Sequence, residues 1–246
     1  MSKVVHACQA IVIAASFAAA GSALAEEPAK VTDDQYAWLE EVTGEKPLEW
    51  VKAQNARTEA EITTTQGFKQ LEAGILKMLD SDAKIPGVQK IGDYYYNFWK
   101  DKQHERGIWR RTTLAEYRKA QPKWETILDL DALNKAEGEN WVWHGANCLR
   151  PEYTRCLVAL SRGGADANVT REFDLGTRQW VKDGFFRAEA KGALGWKDAD
   201  TVYAYTDFGP GSMTPSGYPR IVKEWKRGTP ISDARVVYEG TNEDMY

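Results

Sequence analysis

Histidine and cysteine are both scarce in this chain, with three of each in 246 residues. His6 and Cys8 lie in the first few residues, so His104, His144, Cys148 and Cys156 carry all the imidazole and thiol chemistry that follows. There is no His-Glu-x-x-His helix and no Gly-rich loop between a strand and a helix, so zinc peptidases and nucleotide-binding folds lack their ligand sets. Basic charge is not in excess either, since 32 Lys and Arg stand against 36 Asp and Glu. Both signs are spread along the chain, and no basic block alternates with aromatics, which excludes nucleic acid as a partner. No cofactor and no metal site are expected.

Long hydrophobic runs are equally rare. The one present, Ala10 to Ala20, follows Lys3 and precedes Ala23-Leu24-Ala25, an A-x-A cleavage pattern ahead of Glu26. It is shorter than the ~20 apolar residues of a membrane span. A lipoprotein reading fails because Cys8 stands before the run instead of at its end. Residues 1–25 therefore read as a secretory signal, with a periplasmic or secreted mature chain that has no membrane association after cleavage.

Export places the remaining cysteines in an oxidising compartment. Cys148 and Cys156 flank Arg150-Pro151-Glu152-Tyr153, a turn-like stretch between two strand-like runs. A disulfide across that hairpin is the favoured reading. Two buried free thiols are the alternative, and a metal site with His144 lacks a fourth ligand.

What the chain has in quantity is apolar and aromatic surface: 43% hydrophobic residues, with 10 Trp and 11 Tyr, enough for a sizeable core. The length allows one large domain or two small ones. A helix is predicted from Pro47, suited to a first helical position, to about Ile62. Leu48, Val51, Asn55, Thr58 and Ile62 mark its expected buried face. A second helix carries Phe68, Leu71, Ile75, Met78 and Leu79 on one stripe, read as packing surface, and ends at Asp80-Ser81-Asp82 and Pro86.

After Pro86 the period becomes strand-like. Candidate strands are Tyr94–Trp99, Ile108–Leu114, Trp124–Leu130, Trp141–His144, Cys156–Leu160, Val169–Leu175, Thr201–Thr206 and Arg220–Trp225. A weak repeat joins two of these pairs. Arg155 to Ser161 leads through a Gly/Asp loop to Glu172–Leu175 and Gly176-Thr177. Thr201 to Thr206 leads through a Gly/Pro/Ser loop to Ile221–Trp225 and Gly228-Thr229. The spacing of ~45–50 residues is that of a propeller blade, although a β-sandwich also spaces its strands regularly.

The stretch from Asp33 to Thr58 reads Asp-x-x-Tyr-x-Trp-Leu-Glu, then Leu-x-Trp-Val-x-x-Gln-Asn. It resembles the opening of the prolyl oligopeptidase family of serine peptidases. Tyr94–Trp99, Trp109–Thr113 and Asp207-Phe208-Gly209-Pro210-Gly211-Ser212 look like early blades of its bacterial exported members. The resemblance runs from about Asp33 to Gly240. It implies a mainly β fold: an N-terminal helical arm over 26–86, then an incomplete β-propeller of about two to three blades over 87–246. The catalytic α/β-hydrolase domain is expected to be absent, because about three blade-sized periods follow Pro86 and a closed propeller needs at least four. The sequence is expected to be an interrupted N-terminal portion.

The triad such a peptidase needs is not in this sequence. No Gly-x-Ser-x-Gly elbow occurs. The nearest imitation, Ala159-Leu160-Ser161-Arg162-Gly163, reads as a blade hairpin, and no histidine follows Ser161 to complete the order Ser, Asp, His. His104 is expected to be solvated, and His144 to be a strand residue with a satisfied ring. The adjacent Glu40 and Glu41 point in different directions and suit an interface or solvent better than acid–base work. Asp129, Asp131, Asp198 and Asp200 sit at turns, where carboxylates cap amides. No catalytic residue is therefore assigned, and the chain is expected to be inactive alone. By resemblance, its partners are a C-terminal α/β-hydrolase domain and short peptide substrates, the propeller acts as a size filter, and Trp38, Leu39, Glu40 and Trp50 fasten the two domains. The competing expectation is a non-catalytic exported β-rich binding module or an inactive relic.

Overall fold

The structure, a computed structural model, describes residues 34–81, 83–242 and 244. The expected leader, 1–25, lies outside the described residues. Two compact units divide between Thr65 and Gln66.

In the first unit a 3-10 turn, Ala37–Glu40, precedes helix α1, Glu45–Ile62. Pro47 sits in the first turn, where its missing N–H costs nothing, and is buried. Trp38 meets Trp50 edge-on at 6.1 Å, and Lys46 Nζ lies 4.6 Å from the Trp38 ring centre. At the far end, the hydroxyls of Thr63 and Thr64 donate to the carbonyls of Glu59 and Ala60, each at 2.7 Å. Those last-turn oxygens would otherwise have no partner.

The second unit opens with α2, Gln66–Leu79, followed by three antiparallel sheets. The first sheet is β1 (Gln89–Ile91), β2 (Tyr94–Trp99), β3 (Ile108–Thr112) and β4 (Glu125–Asp129) in sequential order. A single helical turn, α3 (Leu114–Tyr117), joins β3 to β4. Helix α4 (Leu130–Glu137) leads to the second sheet, with Asp129 capping its start and Gly138 ending it at φ 67°. The second sheet is β5 (Trp141–Cys148), β6 (Arg155–Arg162) and β7 (Asn168–Asp174). Its fourth position is shared by β8 (Gln179–Trp180) and β9 (Phe186–Ala190), each paired with one end of β7. The third sheet is β10 (Ala193–Asp198), β11 (Thr201–Tyr205), β12 (Ile221–Lys226) and β13 (Arg235–Glu239), again in order. Three sheets, each four strands wide, with short helical segments are consistent with a propeller-like domain.

The second sheet is buried on both faces because β6 alternates two apolar sets. Cys156, Val158 and Leu160 face a core shared with Tyr96, Trp109 and Ile127 of the first sheet. Leu157 faces the other way, into a core with Leu194, Val202, Ala204 and Trp225 of the third sheet. Period-2 alternation sends successive side chains to opposite faces, so one strand serves both interfaces.

Some expectations are revised. The apolar stripes of both predicted helices are exposed: Leu48, Val51 and Ile62 on α1, and Leu71, Ile75, Met78 and Leu79 on α2. A stripe records what burial would favour, not what lies opposite it. The Trp141 strand extends to Cys148, and the Ile108 strand stops at Thr112 because Thr113 caps α3 by accepting the Glu116 N–H. Strands β1, β8, β9, β10 and β13 lie outside the predicted set; Phe-Arg-Ala-Glu-Ala of β9 and Ala-Leu-Gly-Trp-Lys-Asp of β10 carry little β propensity, which tertiary pairing overrides. The repeated segments are the second and third strands of successive sheets, β6–β7 and β11–β12.

Leu160→Ala, at a fully buried position between two sheets, should lower unfolding free energy by ~2–5 kcal/mol. Leu71→Ala on exposed α2 should change it by no more than about 0.5 kcal/mol. Urea denaturation of both variants measures the contrast.

Candidate functional site

The residues that sequence reasoning singled out do not converge on a reaction centre. Ser161 is buried in the antiparallel β5–β6 pairing opposite Val142, and its strand runs through Gly163 and Gly164 into β7 instead of turning into a helix. His104 is half-buried, with Nδ1 2.8 Å from Asp101 Oδ1, and is not the solvated ring expected. Burial would push the Asp101 carboxyl up. Hydrogen bonds from His104, the Gln103 amide and Trp99 outweigh that and hold it below the usual range. His144 is on β5 as expected, but it is exposed and its ring has no hydrogen-bond partner among the described residues. Trp38 and Leu39 are half-buried, while Glu40 and Trp50 are exposed. Cys148 and Cys156 stand opposite each other on β5 and β6, their sulfurs joined by a disulfide. Asp129 and Asp131 accept backbone N–H groups from Ala132 and from Arg106 and Gly107. Among the described residues, no group of His, Cys, Asp and Glu could hold a metal ion.

What the fold does build is a cleft of about 460 Å³ between the second and third sheets, lined by His144, Asp166, Lys191, Tyr205 and Tyr218 among others. Lys191 Nζ lies 3.7 Å from Asp166 and 4.4 Å from the Tyr218 ring centre. The chain crosses from one sheet to the other at Gly192, with φ 124°. A Cβ there would lie 2.1 Å from the Tyr205 carbonyl oxygen, so only glycine fits. Beneath this crossing lies Arg187, 2% exposed. It donates to Asn168 Oδ1, to Thr170 Oγ1 at 3.2 Å and to the carbonyls of Ala190 and Gly192 at 2.9 and 3.2 Å. Among the described residues no carboxylate pairs with it, and burial draws the guanidinium below the ordinary arginine value. The cleft offers polar and aromatic contacts for binding, without a nucleophile paired to a base.

One buried carboxylate fastens the two sheets. Glu172 of β7 accepts from the Phe185 N–H at 2.9 Å. It also accepts from both Nη groups of Arg227, which follows β12, at 2.8 and 3.1 Å. Arg227 is drawn further into place by Asp200 at 3.1 Å and lies 4.5 Å from the Phe185 ring centre. The Glu172 hydrogen bonds raise the Arg227 guanidinium above its ordinary value. Sequence reading missed both partners, because 55 residues separate them and nothing in Asn-Val-Thr-Arg-Glu-Phe-Asp marks Glu172 as buried.

Comparison with known proteins gives this architecture its class. Residues 18–246 match the family described as "Prolyl oligopeptidase, N-terminal beta-propeller domain", and the chain belongs to that family. It is 39% identical over 217 residues to "Uncharacterized peptidase y4nA" of Sinorhizobium fredii (strain NBRC 101917 / NGR234), covering 88% of this chain and 30% of that protein. Over 216 residues it is 33% identical to "Uncharacterized peptidase RP174" of Rickettsia prowazekii (strain Madrid E), covering 84% and 30%. Among solved structures, a post-proline cleaving enzyme from Rickettsia typhi superposes with a TM-score of 0.76 at 33% identity, over 84% of this chain and 31% of that one. Oligopeptidase B from Leishmania major, with a TM-score of 0.63 at 15% identity over 83% and 28%, shares the fold. The chain thus spans about 30% of the length of the curated relatives it matches.

Glu172→Gln should destabilise the second unit by roughly 2–4 kcal/mol, toward the lower end for broken buried pairs because Arg227 keeps some water and Asp200. Denaturant unfolding measures the loss. Arg227→Lys should recover part of the pairing without the bidentate fork.

Proposed function

We propose that this chain is the gating portion of a prolyl oligopeptidase-like serine peptidase. Its three sheets are successive blades of a β-propeller. In the whole protein these blades accompany an α/β-hydrolase domain that carries the Ser-Asp-His triad, and together they admit short peptides while excluding folded proteins. The N-terminal segment around Trp38, Leu39, Glu40 and Trp50 helps fasten the two domains, and residues 1–25 direct export to the periplasm or beyond.

The observation that carries this reading is the family match, reinforced by 33% identity and a TM-score of 0.76 to an enzyme described as post-proline cleaving. The chemistry of the chain agrees with a division of labour. A serine hydrolase needs a nucleophile on an exposed elbow beside an imidazole, and here Ser161 is enclosed within a sheet. The blades supply walls and clefts instead. No helix among the described residues is long and apolar enough to cross a membrane.

The test is to express the gene with its downstream reading frame, alongside this chain by itself. The joined protein should hydrolyse a short proline-containing reporter peptide and be silenced by a serine-directed fluorophosphonate. This chain alone should do neither. A joined protein that folds yet leaves the reporter intact would overturn the reading.

A further inference from the structure

The first sheet carries a cation whose hydrogen-bonding edge is uncommitted. Arg110 of β3 lies between two indoles, its guanidinium carbon 4.2 Å from the ring centres of both Trp99 and Trp124. Each indole contributes a negative π face, so the sandwich holds the guanidinium plane while partly desolvating it. Trp99 is itself fixed, its Nε1 donating to Asp101 Oδ2 at 2.8 Å. The Nε of Arg110 donates to Asn97 Oδ1 at 2.9 Å, and Asn97 in turn donates to the Gly87 carbonyl at 2.7 Å. Arg110 is thereby oriented from three sides.

Its two Nη groups have no hydrogen-bond acceptor among the described residues, and no carboxylate lies within ion-pair distance. Burial lowers the group to about 10, and Asp101 offsets this only from a distance. The neighbouring cations are differently placed. Lys84 Nζ already donates to the carbonyls of Leu79 and Lys100, at 2.6 and 2.7 Å, and Lys119 pairs with Glu116. All three cations line a cleft of about 580 Å³, whose walls include Trp99, Trp124 and Pro86. Tyr117 closes one side, its hydroxyl donating to the Pro86 carbonyl at 2.8 Å.

A planar fork of donors, held rigid and half-desolvated, matches the two oxygens of a carboxylate. Aromatic and proline walls at this scale suit a small organic ligand more than a bare ion. We propose that this cleft is a binding site for the carboxylate of a short peptide, with Arg110 as its bidentate anchor and Trp99 and Trp124 as its walls. The carboxylate comes from the peptide's C-terminus or from an acidic side chain. The proposal concerns binding alone and stands or falls separately from hydrolysis by the whole protein.

The test titrates three probes into the chain, with indole N–H signals of ¹⁵N-labelled tryptophan as the readout: acetyl-Gly-Ala with a free carboxylate, its C-terminal amide, and acetyl-Glu-Ala-amide. At least one carboxylate probe should shift the Trp99 and Trp124 signals saturably below about 10 mM, while acetyl-Gly-Ala-amide should not. Which probe binds identifies the source of the carboxylate. Arg110→Lys keeps the charge but loses the fork, and should weaken binding about tenfold or more with the far-ultraviolet spectrum unchanged. The site is overturned if acid and amide probes behave alike, if neither carboxylate probe saturates, or if Arg110→Lys binds as tightly as the parent. The probe comparison needs no substitution, so a misfolded variant cannot shelter the proposal.

Discussion

The second sheet must satisfy two neighbours at once, and most of the fold follows from that constraint. A half-exposed antiparallel sheet needs one apolar face, whereas this one has two. Strand β6 meets the demand by placing Cys156, Val158 and Leu160 on one side and Leu157 on the other. Large aromatics complete each interface. Trp109 contacts Phe173 and Trp143 on one side, and Phe185 contacts Trp196 and Trp225 on the other. These ring pairs bury large areas and favour tilted or edge-on geometry, which helps set the angle between three separate sheets. Sheets covering one another in this way are consistent with a propeller-like domain.

Polar groups refine what the apolar faces begin. Glu172 lies in a largely buried strand and would be costly there without Arg227 and the Phe185 amide. Its pairing specifies which part of the third sheet meets β7, because hydrophobic burial alone is indifferent to sliding. Arg187 plays a comparable part at the crossing, where carbonyls and neutral side chains replace a counter-ion. The cost of desolvating that charge is offset by several hydrogen bonds, which tie β7, β9 and the Gly192 turn together.

The contrast between the chain's serine and its arginines is informative about function. Ser161 sits where a hydroxyl can do no chemistry, between strands and away from an exposed elbow. Arginines, by comparison, occupy the organised positions: Arg227 at a carboxylate, Arg187 in a carbonyl cage, Arg110 between indoles. Such forks and aromatic faces are the features on which the proposed gating role would draw.

Local sequence determined a good deal by itself. Tyr94–Trp99 reads as a strand because consecutive aromatics suit a pleated surface, and it is β2 without adjustment. With no histidine after Ser161, these residues by themselves cannot supply the order Ser, Asp, His. The Asp33–Thr58 wording carried the family, and the spaced β6–β7 and β11–β12 segments carried the repeating sheets. Tertiary structure alone decided the rest. Strands β9 and β10 form because β7 and β11 offer unpaired edges, a reward that no local propensity records. Glu172 finds Arg227, and Arg110 finds Trp124, only when distant segments are brought together. The helix stripes show the limit in the other direction: the residues of α1 and α2 state an appetite for burial, and only neighbouring surface can satisfy it. Periodicity is written in the chain one residue at a time, whereas a binding surface exists only where separate strands converge.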